Sequence, residues 1–156
     1  MSVAAGNVAA MTEPTVPDPA ADPAAVVRAY WEGMQARDWA AVHRLLARDV
    51  AVEWTASNEQ FVGPDAVVGV NRAYPEGWSI RVRGIVADGD RVVSDVEVPM
   101  DGVGVFRVAA FATVRDGLIA TSQEYWIGVG DDEPPAWRAP FSRPADVAPL
   151  GPQTSG

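Results

Sequence analysis

Carboxylates carry most of the proton-transfer capacity of this sequence. There is no Cys, which removes thiol nucleophiles, disulfides and thiolate metal sites. There is no Lys either, and all 12 basic residues are Arg, so Schiff-base chemistry has no amine to start from. The single His, His43, rules out a multi-histidine metal centre and leaves one candidate imidazole for a Ser-His-Asp triad. Asp, Glu and Tyr remain for acid-base work. Among them Glu124 stands out, because it sits in a strand-like run from Leu118 to Ile127 beside Tyr125 and Trp126. No metal or cofactor is expected, since the usual ligands for one are missing.

The direction of Glu124 depends on the turn before it. A two-residue turn at Asp116-Gly117 pairs Val114 with Ile119 and Ala109 with Glu124. The carboxylate then shares a face with Arg107, Phe111, Thr113 and Trp126, within reach of an ion pair. A three-residue loop, with Gly117 in the left-handed position of a bulge, pairs Val108 with Glu124. Glu124 then joins Phe106, Val108, Ala110, Ala112 and Val114 on an apolar face. Desolvation there would raise its pKa and suit it to general acid or base catalysis. Pattern alone leans to the first arrangement, a solvated or Arg-paired strand residue.

The elements that position these residues follow from periodicity and punctuation. Asp22-Pro23 is a helix start, and Val26, Val27, Tyr30, Trp31 and Met34 make one helical face ending near Arg37. Asp38 can cap a second helix with the stripe Trp39, Val42, Leu45 and Leu46. Val50 to Thr55 reads as a strand with Val50, Val52 and Trp54 on one face. Gly63-Pro64-Asp65 opens a third helix, which Pro75 stops after Tyr74. Strands are expected over Trp78 to Val86, Arg91 to Val98, Phe106 to Val114 and Leu118 to Ile127, with turn signals between them. Helices followed by an antiparallel meander predict an α+β domain.

The chain has 156 residues and a formal net charge of -9, and 48% of it is hydrophobic. One domain is expected over residues 23–141, with Ala/Pro-rich and Pro/Gly/Ser-rich disordered tails at 1–22 and 142–156. An acidic chain repels phosphate backbones and anionic lipid, so no nucleic-acid or membrane partner is expected. The start of the chain lacks a basic n-region, and a cytoplasmic location is the expectation.

The helix pair, the Arg115-Asp116-Gly117-Leu118-Ile119 turn, Glu124-Tyr125-Trp126 and the Ala139-Pro140-Phe141 close resemble SnoaL-like proteins of the nuclear transport factor 2-like superfamily. The resemblance spans about Ala24 to Phe141. It implies a cone-shaped curved antiparallel sheet wrapped on three N-terminal helices, with one deep pocket, and a homodimer through the outer sheet face. The superfamily includes polyketide cyclases, ketosteroid isomerases, limonene-type epoxide hydrolases, dehydratases and non-catalytic binders. In the epoxide hydrolases an acidic residue before the Tyr of the last strand is catalytic. Glu124 matches it, which favours the inward arrangement. Those enzymes hold their water with Tyr and Asn on the first strand, where this chain has Val52 and Trp54. They also use an Arg and an Asp on a middle strand, where this chain has Val96 and Val98. Asp95 and Glu97 face outward.

The resemblance therefore implies Glu124 as catalyst, acting without cofactor on a hydrophobic polyketide- or terpenoid-like molecule by cyclisation, isomerisation or dehydration. Trp54, Trp126, Tyr30, Asn71, Tyr74, Phe106 and Val108 are the expected ligand contacts. A non-catalytic ligand-binding or dimerisation protein is the alternative, and epoxide hydrolysis ranks third. Trp31 is core packing or pocket wall. His43 and Glu53 are expected outside the site, and Arg107 on the outer face. Trp137 and Phe141 either fold over the pocket mouth or pack under a C-terminal tail.

Overall fold

A computed structural model of the chain describes Asp18 and residues 21–147. The tails expected at 1–22 and 142–156 lie largely outside these residues. Helix α1 covers Pro23–Ala36; Asp22 caps it by accepting from the Ala24 N–H, and Arg37 ends it in the left-handed conformation. Helix α2, Trp39–Arg44, is capped by Asp38, and α3 runs Pro64–Ala73. The strands are β1 Leu46–Trp54, β2 Glu59–Val62, β3 Arg81–Asp88, β4 Arg91–Met100, β5 Gly104–Arg115 and β6 Leu118–Gly128. No helix among the described residues is long and apolar enough to cross a membrane.

The strands form one sheet in the order β2-β1-β6-β5-β4-β3. Neighbours from β6 to β3 are antiparallel, as the meander requires. Strand β1 joins β6 in parallel, so the six-stranded sheet is mixed rather than wholly antiparallel. The last strand is therefore central. One sheet face and the apolar face of α1 enclose the core, in which Val42, Val50, Val67, Val92, Val96 and Val108 are fully buried. Each such side chain contributes about 1.5–3 kcal/mol relative to leaving it in water.

Several expectations need correcting. Leu46 does not extend the second helix. Leu45 bonds back to Val42 in a tight last turn, its carbonyl accepts from the Ile119 N–H (2.8 Å), and Leu46 pairs with Ile119 in the sheet. Tertiary pairing overrides the helical stripe there. Trp78 lies outside β3 and makes a single bridge to Met100. Strand β2 was not foreseen: it is a short, largely exposed edge, so it carries no burial pattern.

A further correction concerns the β5–β6 turn. It is the two-residue form, with Asp116 and Gly117 both at positive φ (52° and 73°) and Arg115 opposite Leu118. The three-residue loop does not form. The ladder slips further on: Val114 pairs with Ile119 and Thr113 with Thr121, leaving Ala120 as the extra residue of a bulge. Beyond it Glu124 pairs with Ala110, and the strand's faces are exchanged relative to an unbroken ladder. Glu124 thus faces inward, by a bulge at Ala120 rather than by the turn.

Candidate functional site

A cavity of about 170 Å³ lies between α1 and the inner sheet face. Tyr30, Trp31 and Met34 of α1 form one wall, one helical turn apart at most. Trp54 of β1, Glu124 and Trp126 of β6, and Phe106 of β5 form the sheet side. Asn71 and Tyr74 close one rim, and Trp78 and Ile80 continue it with Val98 and Met100 of β4. The segment carrying Trp78 is fastened to α1. Arg37 pairs with Glu76 (2.9 Å), donates to the Trp78 carbonyl (2.7 Å), and lies over the Trp78 ring.

Glu124 is 3% exposed. Its cross-strand neighbours are Ala110 on β5 and Trp54 on β1, and the small Ala110 leaves room for the carboxyl group. Two indoles meet on one of its oxygens. Trp54 Nε1 and Trp126 Nε1 each donate to Glu124 Oε2 at 2.9 Å, while Ser122 Oγ stands 3.5 Å from Oε1. The two rings are tilted against each other with centroids 6.1 Å apart. Saturating Oε2 with two donors leaves Oε1 as the oxygen able to carry or give up a proton.

Burial pushes the Glu124 carboxyl above the ordinary carboxylate range; the bonds from Trp126, Trp54 and Ser122 oppose that shift without cancelling it. Tyr30 is pushed well above the usual phenol value, first by burial and then by the negative charge of Glu124. The cavity thus pairs a reluctantly ionised carboxyl with a phenol that stays protonated. Among the described residues Glu124 is the one carboxylate in the lining and no His lines it, so a metal would find a single anionic ligand there.

Six of the expected site residues other than Glu124 line the cavity: Trp54, Trp126, Tyr30, Asn71, Tyr74 and Phe106. The Asn71 amide donates to the Val67 carbonyl (2.9 Å), and Tyr74 is partly exposed at the rim. Val108 does not line the cavity; it is fully buried in the core, paired with Trp126. Val52, Val96 and Val98 face inward and Asp95 is exposed, as the alternation of each strand implied. Arg107 lies on the outer face, 3.4 Å from Glu97 and 4.0 Å from Asp95. Glu53 accepts from Gln123 on that same side, and exposed His43 pairs with Asp65. Trp137 and Phe141 are 70% and 87% exposed, so neither covers the mouth nor packs beneath the described part of the tail.

Ser94 was overlooked. It is buried and accepts from Trp31 Nε1 (3.0 Å), and its parity between Val92 and Val96 was a readable signal. Trp78 gave no such signal, because its place depends on the Arg37 contacts rather than on a strand pattern.

Several solved structures share this fold. A Kribbella flavida DSM 17836 protein provisionally named a ketosteroid isomerase is 27% identical, with a TM-score of 0.74 over 83% of this chain and 95% of its own. An LEH-like epoxide hydrolase of M. tuberculosis is 21% identical, with a TM-score of 0.59 over 67% of this chain and 82% of its own. A Shewanella denitrificans OS-217 protein provisionally named a SnoaL-like polyketide cyclase shares the fold at 9% identity, with a TM-score of 0.59 over 67% of this chain and 90% of its own. No curated protein matches the sequence. The profile of the SnoaL-like domain matches residues 27–122, well over half of the chain, and the protein belongs to that family of the nuclear transport factor 2-like fold.

Proposed function

We propose that the protein is a cofactor-free acid-base enzyme for a small hydrophobic molecule, with Glu124 moving the proton. The observation that carries this reading is a buried carboxyl in the cavity lining whose Oε2 is held by Trp54 and Trp126 while Oε1 has only a long contact with Ser122. Fixed geometry and a raised pKa are what a general acid or base needs near neutral pH. The Tyr30 phenol, in the same cavity, is suited to donate a hydrogen bond to a developing enolate. A cavity of about 170 Å³ favours a single-ring substrate, given that one of about 150 Å³ accommodates benzene. Isomerisation and dehydration of such a ring fit better than closure of a polycycle. Epoxide hydrolysis is less well supported, because Val52, Val96 and Val98 offer an attacking water no hydrogen bonds.

The test is exchange of α-protons of cyclohexanone and 3-cyclohexenone with D₂O, followed by NMR. Wild type is expected to accelerate exchange, and Glu124→Gln to lose about 10²-fold or more of that acceleration. No acceleration, or equal rates in the two proteins, overturns the catalytic reading. The second reading, a binder without chemistry, draws on the lack of a second charged group in the lining. Thermal stabilisation by the same ketones without exchange would support it.

We also propose a homodimer through the outer sheet face. Phe111, Tyr125 and Ile127 are exposed there, and the Phe111 and Tyr125 rings pack edge to face.

A further inference from the structure

The cavity has an unusual charge arrangement. Its one ionisable acid below the phenols is Glu124, whose hydrogen-bond donors are neutral: two indoles and a hydroxyl. No Arg or His lines the cavity, and the chain has no Lys. A buried carboxylate without a cation is costly, so the site is relieved either by a proton or by a positively charged guest. The walls favour such a guest. Tyr30, Trp31, Trp54, Trp126 and Phe106 line the same cavity as Glu124, and π-systems attract organic cations electrostatically. An aliphatic lining would serve a neutral apolar ligand as well; an aromatic one adds something for a cation. The net charge of -9 acts in the same direction, raising the local concentration of cations around the molecule.

We propose that the cavity binds a small organic ammonium ion, a tertiary or quaternary amine of about choline size, with its charged head beside Glu124 among the aromatic walls. The proposal rests on the site described above but not on proton transfer by Glu124. Inorganic cations are poorly served, because a single carboxylate cannot replace their hydration shells. A quaternary ammonium is weakly hydrated and carries its own apolar surface, so it loses less on entry.

The test uses the full chain and two probes of nearly the same shape, choline and 3,3-dimethylbutan-1-ol, which differ in carrying N⁺ or a neutral carbon. Affinities are read by calorimetric or NMR titration at neutral pH. Choline is expected to bind at least about tenfold more tightly than the neutral alcohol. Glu124→Gln is expected to erase that preference while leaving the alcohol's affinity within about threefold, which also shows that the variant's cavity is intact. Phe106→Leu, which keeps an apolar wall and removes a ring, is expected to weaken choline more than the alcohol. Equal or tighter binding of the alcohol to wild type overturns the proposal. So does a choline preference that survives Glu124→Gln, and so does absence of choline binding at millimolar concentrations. Any of these leaves proton transfer on a neutral ligand to be decided by the α-proton exchange experiment.

Discussion

A carboxyl that ionises less readily in the folded chain than in the unfolded one weakens the fold as pH rises. Glu124 is such a group, because burial raises its pKa above the ordinary 4.5. Below 4.5 both states hold the proton and Glu124 has no differential effect. Above it the unfolded chain releases the proton first, and stability declines until the folded pKa is passed. Tyr30 is the other titratable group beside it; Trp54, Trp126 and Ser122 are neutral. We expect Glu124→Gln to flatten this dependence and to melt higher than wild type at neutral pH. Thermal denaturation followed by circular dichroism at stepped pH checks it, and a variant that melts lower at neutral pH would contradict it. The inward parity of Trp54 with Val50 and Val52 was legible from alternation; that of Trp126 was not, because it shares the face of Glu124 and pattern alone leaned outward. The convergence of the two indoles on one oxygen was not legible either, because indole rotamers are set by packing with Phe61 and with each other.

Helix starts were the most legible features, since their signals are local. Asp22-Pro23, Asp38 and Gly63-Pro64 each begin a helix as their chemistry implies. The bulge at Ala120 was not legible. A bulge inserts one residue without a residue type that announces it, and Ile119 and Ala120 are consecutive apolar residues that suit either ladder. The family resemblance pointed Glu124 inward, and the route that achieves this lay beyond the hairpin rules. Where α1 and α2 meet, a Cβ on Gly33 would lie 2.8 Å from Val42 Cγ2, and Val42 is fully buried. Overpacking of this kind costs about 1–3 kcal/mol. The better helix propensity of Ala returns about 1 kcal/mol. Gly33→Ala should therefore lose up to about 2 kcal/mol in urea unfolding, where an exposed helical Gly would gain from the same change.

The whole molecule keeps its second sheet face open, with apolar residues set among the Arg81, Arg83, Arg107, Asp95 and Glu97 charges. We expect Phe111→Asp to convert a dimer to a monomer in sedimentation with little loss of monomer stability, as Phe111 is 43% exposed. A wild-type monomer would remove the dimer reading. Strand order has a further consequence, for how the chain must fold. In the order β2-β1-β6-β5-β4-β3, removal of β6 separates the β1–β2 pair from the β3–β5 meander. The sheet therefore has no continuous ladder until the last strand arrives between its two halves. A nascent chain still lacking Leu118–Gly128 would hold two sheet fragments with unpaired edges, exposed to association with other chains. The long-range parallel pairing of β1 with β6 also predicts slow closure compared with the local hairpins. The strand that carries Glu124 is thus the one whose insertion completes the sheet, so the candidate site and the sheet come into being together when β6 takes its place.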